Sequence, residues 1–136
     1  MNCCTFLLAF WIFPTVLIAA DEEASLRPLH QLADEVYRLS QEMITHGSEG
    51  HADEIVGYGR DLIQRIEPLI QQVESHPSSK LKQKKKTIVA SLKATLQAAE
   101  KAVDLGEQKK IGPALDAARK TSFRAKLSRQ QLRAIR

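Results

Sequence analysis

The chain has 136 residues, a formal net charge of +4, 43% hydrophobic residues, 26% charged and only 5% aromatic. That length holds one domain and excludes a multidomain enzyme. Six Gly and five Pro are too few for a low-complexity chain, and the apolar content is too high for wholesale disorder.

Residues 1–20 carry no charged side chain, and an apolar run from Thr5 to Ala20 ends just before Asp21-Glu22-Glu23. Such a run is short for a membrane-spanning helix, which needs about 20 residues. Its small-residue end, Ala19-Ala20, reads as the cut site of a secretory leader, with an uncleaved amino-terminal anchor as the alternative. Either way an exported chain is expected, periplasmic or extracellular. The leader holds Cys3 and Cys4, the only cysteines, so the remaining chain has neither disulfides nor thiolate sites and must hold together by packing.

Four helical stripes follow. Leu26, Leu29/His30, Ala33, Tyr37, Ser40 and Ile44 recur at spacings of three and four. Ser25 is placed to cap this helix, with Pro28 in its first turn. Gly47-Ser48-Glu49-Gly50 ends it. A second stripe runs Ile55/Val56, Leu62/Ile63, Ile66, Leu69/Ile70, Val73, and Pro68 inside it predicts a kink or an early stop. His76-Pro77-Ser78-Ser79 breaks the chain. The third stripe is Ile88/Val89, Leu92, Leu96, Ala99, Val103, with Gly106 as its expected carboxy-terminal cap. Pro113 opens the fourth, with Leu115, Ala118, Ser122, Ala125 and Leu132; its stripe is the weakest and should make it the loosest helix.

An offset of 59 residues superposes Gly47 on Gly106, Ile44 on Val103 and Ala33 on Leu92. The expected fold is therefore all-α, an antiparallel four-helix bundle built as a duplicated helical hairpin, with residues 21–76 as one hairpin and 77–136 as the other.

No HExxH, GxSxG, P-loop or dinucleotide-binding glycine turn is present, and the carboxylates lie at solvent-face spacing. A non-enzymatic protein is expected. His46 and His51 bracket the first turn, so a tight connection brings both imidazoles to one end of the bundle. Glu49, Asp53 and Glu54 supply oxygen donors beside them. Neutral imidazole with carboxylate suits Cu(II), Zn(II) or Ni(II), with Cu(II) held most tightly. The plainer alternative makes His46 a helix-capping residue and His51 an exposed turn residue, with no metal bound. His30, on the apolar stripe, is expected to be partly buried and hydrogen-bonded, and His76 to be exposed in the linker.

Ile44-Thr45-His46-Gly47-Ser48-Glu49-Gly50-His51 resembles the repeated HGxxGH turn of the small metal-binding protein family. The resemblance implies an exported four-helix bundle that binds copper and other divalent metals. That family strings histidines at heptad spacing along its helices, where this chain has Leu32, Leu39, Tyr58 and Arg65. In the second turn Leu105 and Lys110 stand in place of both histidines. Only a single site, at His46 and His51, carries over.

Charge divides at His76-Pro77. Residues 21–76 hold four arginines, no lysine and twelve acids, a net −8; residues 77–136 hold sixteen Lys or Arg and four acids, a net +12. Complementary rims would steer the hairpins together. Lys80, Lys82, Lys84, Lys85 and Lys86, with Arg124, Lys126, Arg129, Arg133 and Arg136, would otherwise favour an anionic membrane surface or envelope polymer. No aromatic stacking platform accompanies them, so nucleic acid is not an expected partner.

Overall fold

In the computed structural model, residues 16–135 are described, with side-chain surroundings from Ala24 onward. They form four helices and no strand: α1 (Val16–Ser48), α2 (Ala52–Ser75), α3 (Ser79–Glu107) and α4 (Ile111–Arg133). Neighbouring helices pack around a square, α1 on α2, α2 on α3, α3 on α4 and α4 back on α1, with a thinner diagonal contact between α2 and α4. Three-residue connections make sequential helices antiparallel. This is the four-helix bundle that the stripes require.

The largest fully buried side chains include Leu26, Leu29 and Met43 of α1, Leu62, Ile66 and Leu69 of α2, Ile88 and Leu92 of α3, and Leu132 of α4. The α4 stripe looks weak because its buried face is small, with Ala114, Ala117, Ala118, Thr121, Ser122, Ala125 and Ser128. Buried hydroxyls need partners. Thr121 donates to the Ala117 carbonyl at 2.9 Å, Ser128 to that of Arg124 at 3.1 Å, and Ser91 and Ser128 share a bond of 2.8 Å across the α3–α4 seam.

Neither proline bounds its helix. Pro28 lies inside α1, which starts no later than Val16, so Ser25 is not its cap. Pro68 does not stop α2, which runs on to Ser75. Both prolines face water. There the carbonyl left without its N–H partner can be hydrated, while buried neighbours such as Leu29 and Leu69 keep each helix packed on the core. Residues 1–15, the larger part of the expected leader, lie outside the described residues. Val16 to Ala20 are helical and continue unbroken into the acidic segment. No helix among the described residues is long and apolar enough to cross a membrane.

The duplication is visible in the hydrogen bonding of the two turns. Gly50 N–H donates to Gly47 O at 3.2 Å and His51 N–H to His46 O at 3.0 Å; Lys109 N–H donates to Gly106 O at 2.8 Å and Lys110 N–H to Leu105 O at 3.0 Å. Each pair is a Schellman closure, and its partners match at the offset of 59. The left-handed residue is Gly50 in one turn (φ 87) and Lys109 in the other (φ 56). Gly106 is therefore not the cap. It is buried within α3, where a Cβ would come 2.7 Å from Val56 Cγ2 and 3.3 Å from the Ala52 carbonyl oxygen. Lys109 bears the strain of a left-handed side chain, so Lys109→Gly should stabilise the fold by about 1 kcal/mol in chemical denaturation.

The hairpins meet through ion pairs at their rims. Asp34 of α1 takes Arg129 at 2.6 Å and Arg133 at 2.7 Å; Glu74 takes Lys93 at 3.0 Å, and Glu107 takes Arg60 at 2.7 Å. Arg129 also lies over the Tyr37 ring, 5.1 Å from its centre. Partial burial pushes the Asp34 carboxyl up, but hydrogen bonds from Arg129 and Arg133 and their charges outweigh it, leaving the group below its ordinary value. A depressed carboxyl contributes stability above its unfolded-state value and loses it as pH falls through the folded one. Asp34→Asn should therefore cost about 1 kcal/mol near pH 7, the scale of a solvent-screened network. Urea titrations of the two proteins should converge as pH falls through the lowered folded-state value of Asp34.

Candidate metal centre

Antiparallel order puts both hairpin turns at the same end of the bundle. The α1–α2 turn closes so tightly because Gly50 supplies the left-handed residue and Gly47 packs against Ile55. His46 thus lies in the last turn of α1 while His51 caps the start of α2 through its backbone carbonyl, which accepts from Ile55 N–H at 3.3 Å. The ring centres stand 6.3 Å apart with an interplanar angle of 24°. Tyr58, two turns along α2, also stacks on His46, at 5.2 Å and 13°.

Both imidazoles turn Nδ1 toward the same two carboxylates. Glu49 Oε2 lies 3.4 Å from His46 Nδ1 and 3.6 Å from His51 Nδ1; Glu54 Oε2 lies 2.5 Å from the first, and Glu54 Oε1 3.5 Å from the second. One donor each from His46, Glu49 and His51 falls within 4.8 Å of the others. Side-chain exposure is 26% at His46 but 53% at both His51 and Glu49, so the cluster is open to solvent on one side. His46 Nδ1 is itself buried, yet no well-directed hydrogen bond reaches it despite the short approach of Glu54.

That donor set fits a divalent metal. Nitrogen and oxygen ligands about 2 Å from a common ion lie roughly 3–4 Å from one another. Small rotations of exposed side chains would close the 4.8 Å cluster to that range. Two imidazoles and one or two carboxylates are the borderline donors that favour Cu(II), then Zn(II) or Ni(II).

Asp53 is not brought to this cluster. It is 86% exposed and pairs with Lys109 of the second turn. Lys109 occupies the position that corresponds to Gly50, so Asp53 pairs with the second turn. Glu42 is a carboxylate that the spacing argument missed: its Oε2 lies 3.9 Å from His46 Nε2, one helical turn earlier. The four-residue interval between them could have revealed it. Tyr58 was equally accessible as an aromatic seven residues beyond His51.

The other two histidines sit at the opposite end. His30 is partly buried, with Nε2 3.2 Å from the Leu132 carbonyl oxygen. His76 is not simply exposed linker. Its Nδ1 accepts the Ser78 N–H at 3.2 Å, which leaves Nε2 to donate to the Ser25 carbonyl oxygen at 3.2 Å. Several cations of the basic hairpin are also engaged: Lys85 donates to the carbonyls of Glu74 and His76, and Arg129 and Arg133 hold Asp34.

In comparisons with protein-family models, curated proteins and solved structures, nothing matches this chain.

Proposed function

We propose that the chain is an exported, non-enzymatic protein that binds one divalent metal ion at the turn end of its bundle, Cu(II) ahead of Zn(II) and Ni(II). His46 and His51 would supply nitrogen, Glu49 oxygen, and Glu54 a further oxygen or a partner that orients the imidazoles. The observation that carries this reading is the convergence of His46, Glu49 and His51 donors within 4.8 Å on a turn that the backbone closes tightly. The HGxxGH-like turn, resembling that of the small metal-binding protein family, supports the same reading. So does charge: the site belongs to the hairpin of net −8, which attracts cations.

A half-exposed set of three or four protein donors leaves positions for water, and weak, single-site binding is expected. Calorimetric titration with Cu(II) and Zn(II) tests this in a Cys3→Ser/Cys4→Ser background, where the leader's thiols cannot take the metal. One equivalent of Cu(II) should bind, and His46→Ala/His51→Ala should remove the heat. Identical heats for the two proteins would sink the proposal.

A further inference from the structure

We infer that the outer face of α3 and α4 is a docking surface for an anionic lipid bilayer. Among the described residues the large exposed apolar side chains are Phe123, at 65% exposure, Leu127 at 39% and Ile111 at 38%, and all three lie on α4. Phe123 and Leu127 border an open groove of about 680 Å³ together with Arg119, Lys120 and Arg124. It shares Asp116 and Lys120 with a second hollow past Lys101 and Leu105 towards the turns, and a separate hollow at Lys84 and Thr87 lies on the same α3–α4 seam towards the other end.

Charge bordering the grooves is predominantly positive, with Lys84, Lys101, Arg119, Lys120 and Arg124 against one carboxylate. Lys84, Lys101, Lys120 and Arg124 make no ion pair among the described residues. The carboxylate bordering the grooves, Asp116, is held by Arg119 at 3.1 Å. The cations that turn towards the acidic hairpin are the ones already neutralised: Lys93 by Glu74, Lys109 by Asp53, and Arg129 and Arg133 by Asp34. Docking of the hairpins therefore neutralises the inward charge of the basic half and leaves Lys84, Lys101, Lys120 and Arg124 uncompensated on its outward side.

A polyanionic polymer would satisfy the cations but offers nothing to Phe123. A bilayer satisfies both. Lysine and arginine meet lipid phosphates while Phe123 and Leu127 enter the boundary between headgroups and acyl chains, with α4 lying in the plane of the surface. This inference uses no metal-site residue and stands apart from the metal reading.

Co-sedimentation of the full chain with vesicles tests it. Vesicles of pure phosphatidylcholine are compared with vesicles containing about one-third phosphatidylglycerol. The apolar run of residues 5–20 is uncharged and partitions into either lipid, so the difference between the two reports the cationic face. Binding should be stronger with phosphatidylglycerol and fall as salt rises. Lys120→Gln/Arg124→Gln should weaken it about thirtyfold, which corresponds to about 1 kcal/mol per basic residue. Phe123→Ser/Leu127→Ser should weaken it on both sides of the salt range. Arg60→Gln/Lys93→Gln removes the same charge from positions already paired and should leave binding unchanged. Equal binding to the two vesicle types, face variants that bind like the unaltered chain, or equal weakening by the Arg60/Lys93 variant would each overturn the inference.

Discussion

Cu(II) at a hundredfold excess over its dissociation constant should stabilise the folded chain by about 2.7 kcal/mol, and His46→Ala/His51→Ala should abolish the whole effect. The two imidazoles are held together by the closed turn, where His51 N–H reaches His46 O at 3.0 Å, and unfolding separates them. Metal therefore favours the native state by mass action. Thermal unfolding in the cysteine-free background reads this as a midpoint shift of roughly 10 °C for a domain of this size. Glu54→Gln should give a smaller loss, because Glu49 still joins both histidines. Asp53→Asn should leave the shift intact, since Asp53 faces Lys109.

Gly106→Val should destabilise the fold by about 3 kcal/mol. At this position a Cβ would meet Val56 Cγ2 at 2.7 Å and the Ala52 carbonyl oxygen at 3.3 Å, and a branched side chain adds bulk on the same side. Val56 could shift, but the Ala52 carbonyl belongs to the first turn of α2 and cannot yield without moving the helix. Were Gly106 a left-handed cap, the cost would arise from its φ angle and Lys109 would have no strain to relieve. Urea unfolding of Gly106→Val and Lys109→Gly separates the two accounts, because close packing predicts a large loss for the first and a gain for the second.

The residue pattern carried the bundle because each helix has to bury one stripe. Leu26, Leu29 and Ala33, then Leu62, Ile66 and Leu69, are buried where period 3.6 puts them. The turn glycines and the offset of 59 also carried the pairing of the hairpins. What the pattern could not carry depends on neighbours far away in sequence. Gly106 is glycine because of Val56 and Ala52 on another helix, whereas a local reading assigns it to the turn. Pro28 and Pro68 are tolerated because they face water, off the buried stripes of their helices. In the candidate site, the closeness of His46, Glu49 and His51 follows from one short turn and could be anticipated. The fate of Asp53 could not, because Lys109 is 56 residues away in the chain. His76 likewise finds the Ser25 carbonyl only when α1 and α2 pack together.

The histidines themselves offer the sharpest test. Two stand at each end of the bundle, and His30 is sixteen residues before His46 along α1, a separation of about 24 Å. Imidazole resonances of all four can be followed by NMR during addition of substoichiometric Cu(II), whose unpaired electron broadens nearby nuclei. The metal-site account predicts that signals from His46 and His51 disappear together and first, while those of His30 and His76 persist. Broadening that begins at His30 or His76, or that reaches all four alike, would contradict it.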